Sequence, residues 1–225
     1  MRHLSLLAAL ALCAFAWAVV QDKKEGAAPE KMRFTFEDVE PGKLPAGWSV
    51  AETEPAGTTA VWRVEKDAQA AGGERSLKLA ENKNSGGTYN LCLHEKPWPA
   101  DLEMDVKLRA DGGTEDQGGG LVWRLKDVNN YYIARWNPLE RNIRVYKVQN
   151  MKRTQFATAN VDNDPKAWHL MKIEMRGKKI TVQLDGKTYL EHEDGTFPDG
   201  GKIGFWTKAD ARTSFDDLEV EPAAK

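Results

Sequence analysis

Cysteine is almost missing from this 225-residue chain: Cys13 lies in an apolar N-terminal run, and Cys92 stands alone in everything that follows. With that run removed no intramolecular disulfide can form, so the domain must hold itself together by packing, which its length permits. Cys92 reads as a buried, inert thiol. A large charge of either sign is lacking too. A net charge of -2 and a pI near 6.1 leave no basic face for nucleic acid or an anionic membrane. Histidine is scarce, and His94, His169 and His192 show no i, i+2 or i, i+4 pairing, which argues against zinc. Gly118 to Gly120 leads into a strand pattern, without the helix N-terminus that a phosphate loop needs. There is no G-x-S-x-G elbow, no EF-hand spacing, and no helical periodicity beyond the N-terminal run.

The chain opens with Met1, Arg2 and His3, continues through an apolar run from Leu4 to Phe15, and reaches Ala16-Trp17-Ala18, an A-x-A cleavage pattern. This reads as a secretory signal peptide, residues 1–18, and places the mature protein in the periplasm or outside the cell. Continued through Val20, the apolar run is near the lower limit of roughly 17 residues for a membrane span, and no membrane insertion is expected after cleavage. Lipidation at Cys13 is disfavoured by the bulky Leu12 before it. Residues 19–31 are charged and Ala-rich and read as a flexible tether, leaving residues 32–222 as one domain, expected to be monomeric.

Period-two alternation dominates that domain. In Ala167 to Met175, Trp168, Leu170, Lys172 and Glu174 oppose His169, Met171, Ile173 and Met175. Ile180 to Leu184 and Lys187 to Leu190 flank Asp185-Gly186, the signature of a type I′ hairpin. Leu102–Leu108, Gly120–Leu125, Tyr131–Trp136, Asn142–Val148, Lys202–Thr207 and Ser214–Val220 are further strands, separated by Gly, Asp, Asn and Pro turns. About a dozen short strands with no intervening helix predict an all-β, antiparallel jelly-roll sandwich, because an open sheet that wide curls or splits into two layers.

Several segments together resemble a known family: Glu115 to Arg124, Asn129-Asn130-Tyr131-Tyr132, Arg135, Gly204 to Asp210, the opening Phe34 to Asp38 with Leu44 to Trp48, and the closing Phe215 to Val220. The chain is similar to bacterial secreted domains of the concanavalin A-like lectin/glucanase superfamily, in the group called 3-keto-disaccharide hydrolase-like or family 16 glycoside hydrolase-like. The resemblance covers almost the whole mature chain. It implies a curved sheet with a concave face on which lectin members hold sugars and enzyme members cleave them, but a shared fold does not transfer an activity.

Family 16 glucanases carry Glu-x-Asp-x-x-Glu or Glu-x-Asp-x-Glu on one strand. The nearest match, Glu103-Met104-Asp105-Val106-Lys107-Leu108, lacks the third acid, which argues against that mechanism here. A 3-keto-glycoside could be opened by proton abstraction beside its ketone, with Glu140, Asp127 or His169 as nominal base and Arg124 or Arg135 as stabiliser; the favoured reading is instead a local ion pair of Arg124 and Asp127 at a strand end. Sugar binding demands less: a flat aromatic and planar polar side chains. Alternation places Tyr131, Arg135 and Asn137 on one strand face, Arg124 on the face opposite Trp123, and Trp206 with Lys208 opposite the core residues Phe205 and Ile203. With Glu140 and Asn142 adjoining, Arg124, Tyr131, Arg135, Asn137, Trp206 and Lys208 form a candidate outward platform for carbohydrate. The opposing reading is scattered surface aromatics and cross-strand charge pairs. No cofactor is required, although Glu37, Asp38, Asp216 and Asp217 could meet as a calcium site if the terminal strands pair. Non-catalytic carbohydrate binding is the first expectation, a glycoside hydrolase or lyase the second, and a structural or adhesive module without small ligand the third.

Overall fold

The computed structural model describes residues 30–224. The expected leader and nearly all of the tether lie outside the described residues. Fifteen strands follow one another: β1 (Met32–Phe34), β2 (Trp48–Thr53), β3 (Val61–Lys66), β4 (Arg75–Glu81), β5 (Tyr89–Trp98), β6 (Leu102–Gly112), β7 (Gly119–Asp127) and β8 (Asn130–Asn137). Then come β9 (Asn142–Gln149), β10 (Lys152–Asn160), β11 (His169–Arg176), β12 (Lys179–Leu184), β13 (Lys187–Glu193), β14 (Gly201–Lys208) and β15 (Arg212–Pro222). An eight-stranded back sheet runs β13-β12-β11-β6-β15-β4-β3, with β1 paired to β15, and a seven-stranded front sheet runs β10-β9-β8-β7-β14-β5-β2. No helix among the described residues is long and apolar enough to cross a membrane.

The two sheets form the expected antiparallel jelly-roll sandwich. Alternation explains the interior: Leu102, Met104, Val106 and Leu108 on β6 face Met171, Ile173 and Met175 on β11, all buried. Aromatic rings bridge the layers. Trp48 stacks on Phe205 at 5.1 Å in the front sheet, and Phe205 stacks across the interface on Phe215 of the back sheet at 4.6 Å. Such ring pairs add to the hydrophobic gain of burying the rings. Cys92 sits in this core, where burial pushes its thiol pKa up. Asp185 and Gly186 both have positive φ, 50° and 76°, as a type I′ turn requires.

The front sheet is strongly curled. The Tyr131 hydroxyl on β8 lies 2.7 Å from the Thr53 hydroxyl on β2. Those strands are four spacings apart, about 19 Å in a flat sheet, so the sheet must fold toward itself to bring the two side chains together. The face turned away from the back sheet thus becomes a trough with its own apolar filling: Tyr89, Leu91, Leu93, Val122, Leu125, Tyr131, Ile133, Val148 and Trp206.

The terminal strands do pair, Phe34 opposite Leu218. Three of the four acids proposed for calcium have protein partners, and Asp38 is exposed. Glu37 accepts from the backbone of Glu74 and Arg75, Asp217 pairs with Arg33 and Lys107, and Asp216 accepts from the backbone of Gly72 and Asp217. Among the described residues, no group of three or more His, Cys, Asp or Glu side chains converges as a metal ligand set.

Asp216 is fully buried, and burial, together with the neighbouring Asp217 charge, pushes its carboxyl up to about 6. The folded state therefore holds a proton there that the unfolded chain has lost, and this group's contribution to stability falls as pH rises from about 4 through 6. Denaturant titrations of Asp216→Asn are expected to lack that decline, so that the variant gains on the parent by on the order of 2 kcal/mol across the window. Parallel curves for the two proteins would contradict this account.

Candidate functional site

The trough is built row by row from the strand register. Leu91, Trp206, Gly120, Arg135, Arg144 and Thr158 lie side by side across β5, β14, β7, β8, β9 and β10. Gly120 leaves the backbone bare between Trp206 and Arg135. A Cβ there would come within 1.8 Å of the Ala134 carbonyl oxygen, so the close approach of β7 and β8 excludes any side chain. In the adjoining row Asn137 faces Asn142, which faces Asn160, and Lys208 faces Tyr89.

These two rows hold one connected polar network at the open end of the trough. Arg135 is 1% exposed. Its Nη2 donates to Glu140 Oε2 at 2.9 Å and to Asn142 Oδ1 at 3.0 Å, while its Nη1 stands 3.6 Å from Asp116 Oδ2. Lys208 donates to the same Asp116 oxygen at 3.2 Å, and Asn137 donates to Asp116 Oδ1 at 2.6 Å. Arg144 donates to Glu140 Oε2 at 2.7 Å, and Asn142 adds a third bond to that oxygen at 3.1 Å. The β8–β9 turn is fixed by Asn137, whose Oδ1 accepts from the Glu140 backbone at 2.9 Å. A shallow depression of about 310 Å³ borders Glu140, lined also by Arg141, Asn160, Val161 and Asp162.

Environment drives the two carboxylates apart. Burial raises the pKa of Asp116, and the charges of Arg135 and Lys208 only partly offset it. Burial acts in the same direction on Glu140, but the Asn142 hydrogen bond and the charges of Arg135 and Arg144 outweigh it and hold the carboxyl at about 2. Glu140 is therefore ionised at any physiological pH and acts as a hydrogen-bond acceptor. A base this weak is poorly suited to taking a proton from carbon.

Deeper in the trough, the Arg153 guanidinium lies over the rings of Tyr146 at 4.6 Å, Tyr89 at 5.1 Å and Trp206 at 5.9 Å. Arg153 comes from β10, five strand spacings from β5, and closes the trough over its aromatic filling. Sequence alternation did not single it out. Strand β10 is the exposed edge of the sheet, and its Lys-Arg-Thr-Gln run carries no apolar stripe.

Seven of the eight residues read from the sequence as a platform do share this face: Tyr131, Arg135, Asn137, Glu140, Asn142, Trp206 and Lys208. Two features of the expectation are corrected. First, Tyr131 and Trp206 are fully buried, because the curl of the sheet covers them, so they are the filling of the trough and not an exposed stacking surface. Second, Arg124 is not on this face with Val122. The register slips between Trp123 and Asp127, and Arg124 adopts φ 47°, a bulge that breaks the alternation. Its guanidinium instead donates to the carbonyls of Ala100 at 2.8 Å, Phe197 at 2.7 Å and Gly177 at 2.9 Å, with Asp101 at 3.2 Å. The expected Arg124–Asp127 pair is likewise absent among the described contacts. Asp127 caps its own turn by accepting from Asn129 and Asn130.

Arg124 contributes to a larger cavity of about 740 Å³ at the opposite end of the front sheet, with Lys126, Asn130, Phe197, Asp199 and Lys202 among its walls. Arg124 is committed there to three backbone carbonyls and Asp101, which take four of its five N–H donors. The other nominal base, His169, lies at the back sheet, bonded to Asp185 and to the Asp164 carbonyl. Glu103 pairs with Lys172 and Arg176 on the outer face of that sheet. Neither residue reaches the trough network.

Comparison with known proteins adds the family. Residues 35–221 match the model of the 3-keto-alpha-glucoside-1,2-lyase-like domain. The chain belongs to that family. No curated protein matches it. Among solved structures, the carbohydrate-binding module CBM66 from Bacillus subtilis superimposes with a TM-score of 0.61 at 18% identity, over 78% of this chain and 95% of that one. The GH16 protein of the Bacteroides ovatus mixed linkage glucan PUL, solved with a product, gives 0.58 at 11% identity over 84% and 99%. The VIP36 exoplasmic/lumenal domain gives 0.56 at 13% over 82% and 86%. At these identities the likeness establishes the jelly-roll fold shared by the chain and its neighbours.

Removing the buried Arg124 side chain would break its bonds to three backbone carbonyls and leave a void in their midst, and Arg124→Ala is expected to cost about 3 kcal/mol of unfolding free energy. Denaturant unfolding measures the cost. A loss below about 0.5 kcal/mol, the range of ordinary surface substitutions, would show that the clasp is not structural.

Proposed function

We propose that this domain binds carbohydrate, without cleaving it, at the polar end of the front-sheet trough, and that it does so as an exported monomer. The observation that supports this most is the network around Arg135. It presents fixed planar donors and an ionised acceptor, Glu140, on the free face of a curved jelly-roll sheet, beside a depression at the β8–β9 turn. Such polar groups are pre-set by their neighbours and need no reorganisation to meet sugar hydroxyls, and bridging water can complete an imperfect fit. Arg144 and Glu140 are the accessible members, with side chains 28% and 38% exposed, and they are the groups to which a ligand has direct access.

Glu140→Ala and Arg144→Ala should each weaken glycan binding about tenfold or more, a loss of roughly 1.4 kcal/mol or above, with the folded state kept. Calorimetric titration with the best glycan from an array provides the measurement. Unchanged affinity in both variants would place binding elsewhere and sink the proposal.

A second reading draws on the family itself, whose description names a lyase acting on 3-keto-alpha-glucosides. Elimination next to the ketone needs a base, and Glu140 is the half-exposed carboxylate of the network, although its depressed basicity weighs against that role. Incubation of the protein with a 3-keto-disaccharide, with and without added calcium, followed by chromatography, separates the readings. Non-catalytic binding predicts no product beyond the blank, whereas product formation that disappears in Glu140→Gln would replace it with the lyase reading.

A further inference from the structure

The cavity of about 740 Å³ at the far end of the front sheet takes no part in the binding proposed above, although its volume is that of a small-molecule site. Strand β8 runs from Asn130 in its wall to Asn137 in the Arg135 network, about 23 Å at the strand rise. The fully buried Tyr131 and Ile133 lie between them, so the two places are separate. One wall of the cavity is held from the core. The Phe197 N–H donates to the Tyr132 hydroxyl at 3.1 Å, the Phe197 carbonyl accepts from Arg124 at 2.7 Å, and Lys147 donates to the Thr196 hydroxyl at 2.6 Å. Gly200 and Gly201 add bare backbone, since a Cβ would come within 2.2 Å of the Trp98 carbonyl oxygen or 2.6 Å of that of Leu125. Opposite them the β9–β10 hairpin turns through Asn150 and Met151, both left-handed, at φ 51° and 68°. Glycine is the usual second residue of such a turn, and methionine there is strained. Left-handed residues other than glycine cluster at ligand sites, and Arg124 and Asn150 line this cavity with Met151 beside them.

The side chains that face the cavity are free to meet a ligand. Glu95, Lys126, Gln149, Asn150 and Asp199 are exposed and Lys202 is half-buried. Among the described residues none of these six side chains makes a hydrogen bond or an ion pair. Two ammonium groups stand with two carboxylates, so an ionic ligand would meet as many like charges as opposite ones. The two amides donate and accept at once. Phe197, Pro97 and Pro198 supply an apolar wall. A ring that carries hydroxyls and an apolar face satisfies all three kinds of group. A peptide is served less well, because β5, β14, β7, β8 and β9, the strands that border the cavity, all lie inside the sheet and offer no edge for strand addition. We infer that this cavity is a second ligand site, independent of the Arg135 network, and that it takes a short neutral saccharide.

The test titrates 15N-labelled protein with neutral mono- and disaccharides of glucose, mannose, galactose and fructose. Glucuronate, glucosamine and a capped neutral tripeptide serve as contrasting probes. At least one neutral sugar is expected to shift the amide signals of Asn150, Phe197, Gly200 and Gly201 saturably, with little dependence on salt. Substituting Gln149→Ala and Lys202→Ala together should weaken that binding about tenfold or more. Any sugar-induced shifts at Asn137 and Asn142, which report the Arg135 network, should be the same in this double variant as in the parent. Shifts at Asn137 and Asn142 alone would leave the first site standing and overturn the second. Shifts at the cavity alone would support the second site and count against the first. A cavity that answers only to a charged sugar or to the tripeptide, or whose sugar affinity survives the double substitution, would also overturn the inference.

Discussion

The curl of the front sheet is the constraint on which the rest of this molecule depends. A seven-stranded sheet lying flat on the back sheet would expose its second face, and Tyr89, Tyr131, Ile133 and Trp206 would form a large apolar surface in water. Folding the sheet toward itself buries those side chains against one another and gives the domain two apolar fillings, one between the layers and one inside the trough. The glycines follow from this geometry. Gly120 and Gly204 sit where a Cβ would strike the carbonyl of a neighbouring strand, at Ala134 and Cys92 respectively. The same curl draws Arg153 from the far edge over the rings of Tyr89 and Trp206 and gathers the polar row at the open end into one network.

Much of the fold could be read from period-two alternation. Strands β6 to β9 and β11 to β15 stand where the pattern put them, and the Asp185-Gly186 hairpin has the backbone that its dipeptide requires. Alternation also sorted the faces of β8 and β14 correctly: Tyr132, Ala134, Trp136 and Phe205 line the core, and Tyr131, Arg135 and Trp206 the opposite side. It failed in two physically distinct ways. Alternation assigns a face but knows nothing of curvature, so Trp206 and Tyr131 looked exposed when the trough buries them. It also presumes an unbroken strand, and the left-handed residue at Arg124 breaks β7 just where the reading depended on it. Strand β10 escaped notice because the irregularity between Gln155 and Ala157 breaks its alternation, and its buried contacts are made by an arginine on one face and by Phe156, Ala157 and Ala159 on the other.

The network at the open end shows how one guanidinium can set the state of two acids. Arg135 stands between Asp116 and Glu140, yet the first is held up by its burial and the second is held down by three donors on a single oxygen. The difference arises from solvent access and partner count, not from residue type, and sequence inspection, which picked out Glu140 and missed Asp116, could not read it. Membership of the 3-keto-alpha-glucoside-1,2-lyase-like family fixes the scaffold, and the binding proposed above assigns what the scaffold does to these few side chains.

The position of the Arg124 clasp also bears on the order of events in folding. Its carbonyl partners lie 24, 53 and 73 residues away along the chain, on separate connections. Each of those bonds waits until its own segment has docked, and the full set until all three have. A residue that gains its contacts so late is expected to have little influence on how fast the sandwich assembles and a large one on how long it survives. Under the export proposed above, unfolded molecules would meet proteases without chaperones, and slower unfolding conferred by this arginine would then matter more than the equilibrium stability it adds.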